Sequence, residues 1–467
     1  MVDKKYAKAG LGYTIGNILV RGIGFLTIPV FARLMSTSDY GVYNTYTSYE
    51  AILFIIMGLA LNASFKNANI KFKEKFNSYV STCVLEAMFV LLIFMVGAIV
   101  LFEICGLKKN SYIYILLLHG YASAIISYYN AYLGISYRSK EYVKFALIIA
   151  IGNVAISVCL MLTFFTNDRG FARIIGAALP NFLVALYIIN RLWKIQKPCL
   201  DKSFVLFSLK FSLPLIPHGI SQVLLSTFDR IMISDMIGKN ETGIYSFSYN
   251  IYSIVAVIFS SLNQVYEPWF YEKMHSKDYN SIKNISAKYM YISLMIVTMI
   301  MLGAPELIKI LGTVEYYDSI KIIVPVTIGG YFSFLYSFPA VVEYYYEKTN
   351  YIAFATVISA ILNIVLNYIF ISQIGYQAAA YTTLVTYLIN FIFHYMVSRK
   401  LMPEKIYSTK NIIVVILSLI IIGSIIQITL DYFVFRWLLL MLIGVALCRY
   451  INKIFDLKKI LIDRRRK

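Results

Sequence analysis

The chain has 467 residues, 59% of them hydrophobic and 14% charged, with a mean hydropathy of +0.70. Soluble proteins carry about a quarter charged residues, so a water-soluble globule is excluded and the solvent around this chain is lipid. The net charge of +19 would suggest nucleic acid, but its distribution along the chain points elsewhere.

Apolar runs of about twenty residues recur throughout, long enough for a helix to cross about 30 Å of hydrocarbon; a barrel would show alternation over about ten. The expected fold class is an all-α polytopic membrane protein with about 14 transmembrane helices. In chain order the predicted spans are 13–34, 42–64, 78–102, 111–136, 145–165, 171–192, 211–237, 243–266, 288–311, 320–342, 351–372, 376–398, 411–430 and 433–449. Lys4, Lys5 and Lys8 precede the first run as they would in a signal peptide. No small-residue cleavage site follows, and Arg21 interrupts the run, so a retained first helix is expected.

The basic residues test this topology. Taking alternate connections from the N-terminus, one side holds 32 Lys and Arg. The other holds nine: Arg33, Lys108, Lys109, Arg169, Arg173, Lys239, Lys309, Lys321 and Arg436. Arg21 and Arg230 lie inside spans. Such a split is the positive-inside pattern, with both termini cytoplasmic, and it removes the nucleic-acid interpretation. The tail Arg464-Arg465-Arg466-Lys467 is expected to touch anionic headgroups.

An internal repeat is visible. DYGVY at Asp39–Tyr43 returns as ETGIY at Glu241–Tyr245, and YVKFA at Tyr142–Ala146 returns as YIAFA at Tyr351–Ala355. Six spans separate the halves, an even number, so both insert in the same orientation. The expected organisation is a six-helix bundle over 1–200, a second over 201–400, a cleft between them, and two additional helices with a basic tail over 401–467.

Polar groups inside spans are expected to face a cavity or one another. Thr14, Asn17, Arg21 and Gly24 share one face of the first span, and Arg21 sits too deep to snorkel from the helix start. It contacts either an anion in a cavity or backbone carbonyls between helices. The seventh span carries His218, Gln222, Ser226 and the adjacent Asp229 and Arg230, after Pro214 and Pro217. Here a local carboxylate–guanidinium pair is an equal alternative to substrate contact. Thr356, Ser359, Asn363 and Asn367 share a face of the eleventh span, and the twelfth carries Thr383, Asn390 and His394. Helix-to-helix bonding is their commoner use, and sugar hydroxyls are the alternative partner. The substrate-binding candidates are thus Arg21, Arg230, Asn17, Gln222 and Asn363. The ion-coupling candidates, carboxylates able to change charge with burial, are Glu50, Glu86 and Asp229. Glu306, near an outer helix end, is expected to be solvated.

No Walker loop, Ser/His/Asp set or metal-ligand spacing is present, so no enzyme, metal or cofactor is expected beyond a coupling H+ or Na+. Cys83, Cys105, Cys159, Cys199 and Cys448 form no CxxC pair and are expected to be packed thiols. Tyrosine clusters such as Tyr128-Tyr129 and Tyr344-Tyr345-Tyr346 are expected in interfacial belts.

The opening LGYTIGNILVRGIGFLTIPVFARLMSTSDYGVYN (Leu11–Asn44) resembles the start of the polysaccharide-transporter family of flippases. So do YLGISYRSKEYVKFA (Tyr132–Ala146), RIIGAALPNFLVAL (Arg173–Leu186) and SLKFSLPLIPHGISQVLLSTFDRIMI (Ser208–Ile233). The family belongs to the superfamily of multidrug, oligosaccharidyl-lipid and polysaccharide exporters. The resemblance implies paired six-helix bundles of MATE-like fold in a bacterial plasma membrane. It implies translocation of undecaprenyl-diphosphate-linked oligosaccharide to the outer leaflet for O-antigen, capsule or exopolysaccharide, with a glycan polymerase and chain-length machinery as partners. Arg21 and Arg230 occupy its motif positions. Alternatives are a flippase for lipid II, the peptidoglycan precursor, and a multidrug or cation antiporter, which would want an acidic cavity. A glycan polymerase would need a larger external loop.

Overall fold

The protein is described here by a computed structural model covering residues 4–106, 112–402 and 404–455. Lys108, Lys109 and the basic tail lie outside the described residues. The described elements are helices, and no strand occurs among them. Twelve described helices are long and apolar enough to cross a membrane. A thirteenth crossing is α2 (Thr37–Gly58) with the segment Leu61–Lys71, which ends in α3 (Phe65–Lys71) and is bent by 50°. The fourteenth rod is α5 (Ile113–Ile135), whose 23 residues extend about 35 Å although His119, Asn130 and several tyrosines dilute its apolarity. The fourteen rods match the fourteen predicted spans.

The first compact unit, Met1–Gly243, contains α1 (Lys4–Leu34), α2, α3, α4 (Phe76–Ile99), α5, α6 (Ser139–Thr163), α7 (Arg169–Ile195), α8 (Lys202–Ser212) and α9 (Ile216–Met236). The repeat puts its junction near residue 200, yet the compact unit continues through α8 and α9. The reason is packing: α9 lies along α2, and α8 lies against α4 and the turn Leu61–Ser64. Helix α10 (Lys239–His275) leads into the second unit, Ile244–Lys467. That unit holds α11 (Tyr279–Leu311), α12 (Ile323–Leu335), α13 (Ser337–Tyr345), α14 (Thr349–Ile374), α15 (Gln377–Leu401), α16 (Thr409–Ile428) and α17 (Phe433–Phe455). The last two helices pack on α11, and α16 also meets α12.

Local chemistry sets the breaks. Ser36 and Asp39 form a reciprocal capping box at the start of α2, with the Asp39 N–H donating to Ser36 Oγ at 3.1 Å. The α2 helix stops where Leu59 and Ala60 enter the left-handed region at φ 44° and 51°. The Gly58 carbonyl exposed by that stop accepts a hydrogen bond from Tyr128 Oη on α5. Tyr128 and Tyr129 are each 1% exposed, so they are core residues of the first unit and not the interfacial belt expected of them. The packed-thiol expectation holds for Cys83; Cys105, Cys159, Cys199 and Cys448 are exposed.

Hydroxyls of α4 tie down the connection between α7 and α8. Ser81 Oγ donates to the Gln196 carbonyl at 2.7 Å, and Thr82 Oγ1 donates to that of Cys199 at 2.8 Å. The repeat also has a structural mark inside the first unit. The repeat-related glycines Gly41 and Gly243 lie where the start of α2 meets the start of α10, and a Cβ on Gly41 would lie 1.8 Å from the Lys239 carbonyl oxygen. A Cβ on Gly243 would lie 2.0 Å from that of Thr37. Only residues without side chains permit this approach.

Candidate functional site: a polar cavity in the first unit

Thr14, Asn17, Arg21 and Gly24 all lie on the exposed face of α1, as their spacing predicts. Tyr142 Oη donates to Asn17 Oδ1 at 2.5 Å, and Arg21 lies within electrostatic reach of Tyr142. On α9, Gln222 and Arg230 are half-buried, and Arg230 Nη1 donates to the Ser226 carbonyl at 3.1 Å. The neighbouring Asp229 is 1% exposed, because successive helical residues leave the axis about 100° apart. Glu50 is half-buried and bonds Ser123. Glu86 accepts a hydrogen bond from Ser208 Oγ at 2.8 Å, while its Oε1 is buried without a partner.

Two expectations need correction. Glu306 is not solvated: Arg436 Nη2 reaches its Oε1 at 2.6 Å and Nη1 its Oε2 at 2.7 Å, in a bidentate pair between α17 and α11. Arg436, counted above as a residue of the outer side, is 2% exposed and also donates to the Leu302 carbonyl at 2.6 Å. Asn363 is fully buried between α14 and α15. Its amide donates to Thr383 Oγ1 at 3.0 Å and accepts from Asn367 at 3.2 Å, so the packed helices leave it no surface for a substrate.

A cavity of the first unit lies among α1, α5, α6 and α7 and has a volume of about 450 Å³. Thr27, Ser123, Ser127, Asn130, Tyr142, Asn153, Asn181 and Arg173 bring polar groups to its wall, and no Asp or Glu is among the described residues lining it. Arg173 is the feature that sequence reasoning misplaced. It was counted on the outer loop although the predicted span 171–192 contained it. The missed signal was Asp168, which accepts the Phe171 N–H at 3.0 Å as N-cap and so starts α7 at Arg169. Arg173 thereby falls within the helix, one turn inside. Its guanidinium lies 3.9 Å from the Phe31 ring centre and 4.5 Å from that of Tyr43. Nη1 donates to Asn153 Oδ1 and, at 2.8 Å, to Ser157 Oγ. Stacking and hydrogen bonds therefore hold the cation without a carboxylate.

A second polar chain reaches the same wall. Tyr46 Oη lies 3.0 Å from His119 Nδ1, and Asn181 Nδ2 lies 2.8 Å from His119 Nε2. Asn181 Oδ1 is left buried without a partner. Tyr46 and Glu50 are one turn apart on α2, so the cavity, the histidine and an embedded carboxylate form one neighbourhood.

A multi-pass helical membrane protein with a hydrogen-bonding cavity among its spans has the architecture of a membrane transporter. Residues 7–274 match the family described as polysaccharide biosynthesis protein, which is more than half of the chain. The chain belongs to that family, in agreement with the resemblance carried by its motifs. Lsg locus putative protein 1 of Haemophilus influenzae is 23% identical over 377 residues, covering 77% of this chain and 89% of that protein. Among solved structures, lipid II flippase MurJ in an inward closed conformation matches with a TM-score of 0.72 at 15% identity, over 94% of this chain and 98% of that one. An inward-facing multidrug resistance MATE family transporter of the MOP superfamily matches with a TM-score of 0.57 at 13% identity, over 83% and 98%. These likenesses show a shared fold.

Proposed function

We propose that the protein flips undecaprenyl-diphosphate-linked oligosaccharide from the cytoplasmic to the outer leaflet of a bacterial plasma membrane, with both termini cytoplasmic. The observation that carries this is a cavity among membrane-spanning helices whose lining is rich in hydrogen-bonding groups and whose only charged side chain, among the described residues, is an arginine. Moving a diphosphate with its sugars through bare hydrocarbon costs tens of kcal/mol. A hydrated, cationic route removes most of that cost while the prenyl chain stays in lipid. Arg21 and Arg230 contact the diphosphate, with Asn17 and Gln222 beside them on the same helix faces. Glu50, Glu86 or Asp229 couples a proton or sodium gradient to the return step. The glycan is then handed to the polymerase and chain-length machinery. A multidrug or cation antiporter would want carboxylates where this cavity has none among its described residues.

The similarity to MurJ supports a second reading, lipid II as cargo. The test is the sidedness of lipid-linked intermediates in cells depleted of the protein. Accumulation of a glycan repeat-unit lipid on the inner leaflet, reversed by re-expression, is the expected result; inner-leaflet lipid II would establish the second reading. Arg21→Ala is expected to abolish export with the protein still present in the membrane, because Arg21 stands on an exposed face. Normal export by that variant would overturn its assignment.

A further inference from the structure

We infer that the cavity of the first unit is a subsite for an acidic sugar, a pyranose ring bearing a carboxylate, with Arg173 as the group that recognises the acid. The inference rests on the flippase reading and names the substrate class for it. Three observations carry it.

The first is the state of Arg173. Its Nη1 is committed to Asn153 and Ser157 and its plane to Phe31 and Tyr43. Nε and Nη2 have no hydrogen-bond partner among the described residues and are not among the enclosed atoms. A guanidinium fixed on one edge and open on the other presents the paired donors that match a carboxylate in bidentate fashion. Elsewhere in this protein a deeply placed arginine, Arg436, has a carboxylate partner. Arg173 has none, although an unpaired charge at such a place is costly.

The second is the rest of the wall. Asn130, Asn181, Ser123 and Ser127 supply neutral donors and acceptors of the kind that ring hydroxyls use, and Asn181 Oδ1 is buried with no protein partner. One end of that amide is committed to His119, and the enclosed Oδ1 has no protein partner, so a slight opening of the wall would let it bond a ligand hydroxyl.

The third is size. About 450 Å³ falls within the range of small-ligand sites and holds one or two sugar rings with water. A bare diphosphate would leave the amide-lined portion of that wall unused.

The test uses the full chain in detergent and calorimetric titration with methyl glucuronide, methyl glucoside and inorganic pyrophosphate. The expected result is that the glucuronide binds at least about tenfold more tightly than the glucoside, a difference of about 1.4 kcal/mol. Arg173→Gln should erase that preference. Asn130→Asp, which adds a negative charge to the wall while leaving Arg173 in place, should weaken the glucuronide about tenfold more than it weakens the glucoside; it serves if Arg173→Gln fails to fold. Equal binding of the two sugars, no binding of either, or retention of the preference in both variants would overturn the inference. Tighter binding of pyrophosphate than of glucuronide would also overturn it and make the cavity a phosphate site. Lipid sidedness in depleted cells is read independently, so a protein that flips its lipid but shows no acid preference would sink this inference alone.

Discussion

The first unit arranges Arg173, Asn130, Asn153 and Asn181 around about 450 Å³ of space. The second unit spends the same chemistry on itself. Asn363 bonds Thr383, Asn367 bonds Asn363 and Thr382, and Ser359 bonds Asn390 at 3.1 Å, all between or along α14 and α15. Glu343 and His394, each at most 1% exposed, meet at 2.7 Å. Its cavity of about 480 Å³, among α12, α15 and α16, is walled mainly by side chains such as Ile328, Phe332, Leu384 and Ile420. Hydrophobic burial gives little drive to associate helices within lipid, so hydrogen bonds and close packing carry that load in the second unit. The two compact units thus use their polar residues differently. One is open to a polar ligand, and the other is cross-linked by its polar residues.

The largest expected effect breaks the cross-linking. Arg436→Ala removes one side of the bidentate pair and leaves Glu306, 17% exposed at its side chain, without its cation. Breaking a buried ion pair in this way costs about 3–5 kcal/mol. The thermal midpoint in detergent should fall accordingly, and the junction of α16 and α17 should become more sensitive to protease. The double variant Arg436→Met with Glu306→Leu should recover most of the loss, since an apolar pair of similar volume is often neutral. An unchanged midpoint in Arg436→Ala would mean that α17 is held by packing alone.

Next in size is a change in the first unit away from its cavity. Gly41→Ala puts a methyl group 1.8 Å from the Lys239 carbonyl oxygen, so α2 and α10 must separate at about 1–3 kcal/mol. Gly97→Ala is the control, because a Cβ there meets nothing within 4 Å. In an open helical position that substitution stabilises by about 0.5–1 kcal/mol. Opposite signs in thermal unfolding are the expected outcome. A stabilising Gly41→Ala would show that α2 and α10 can separate at this point without loss.

A smaller pair of changes sharpens the comparison most directly. Asn363→Ala should lower stability by about 1 kcal/mol, as for interhelical hydrogen bonds in membranes, and lower export only as far as folded protein is lost. Asn130→Ala, in the cavity wall, should leave stability within about 0.5 kcal/mol and reduce export per folded molecule. If the two variants behave alike in both assays, the distinction between a binding unit and a cross-linked unit fails.

Fourteen rods were legible because a membrane sets a minimum length on each, and even the bent α2–α3 pair and the polar α5 reach it. Gly41 and Gly243, at matching places in DYGVY and ETGIY, explain themselves once they are seen in contact. The partner of Arg436 was not legible: Glu306 is 130 residues away, and no periodicity links α11 to α17. Glu343 escaped because the predicted span ended at residue 342. Its pairing with His394 depends on α13 packing against α15, a tertiary contact. Arg173 was visible in principle through its N-cap, but charge counting assigned it to the nearest loop. Asn363 illustrates the reverse. Its helical face was correctly seen as polar, and only the position of α15 shows that the face is already occupied by Thr383.

The smallest expected effect is one in which the two units should not differ. Each has a half-buried N-cap carboxylate in a connection between spans: Asp201, held low by the Ser203 side-chain and backbone hydrogen bonds, and Asp278, held low by Ser281 and by Lys273 at 3.1 Å. A carboxylate whose folded value is depressed contributes stability above its ordinary value of 3.8 and loses it as pH falls through the folded value. Asp201→Ala and Asp278→Ala should therefore each cost a small, constant amount from neutral pH down to about pH 5, from loss of charge and cap together. That difference from the wild type should shrink below about pH 4, as the caps protonate. Both caps lie in connections between spans and act on a single helical turn, so neither the cavity nor the cross-links can amplify them. A markedly larger loss for Asp278→Ala would point to Lys273, which has no counterpart among the groups that lower Asp201 through hydrogen bonds. The salt dependence of that excess would then measure the ion pair separately from the cap.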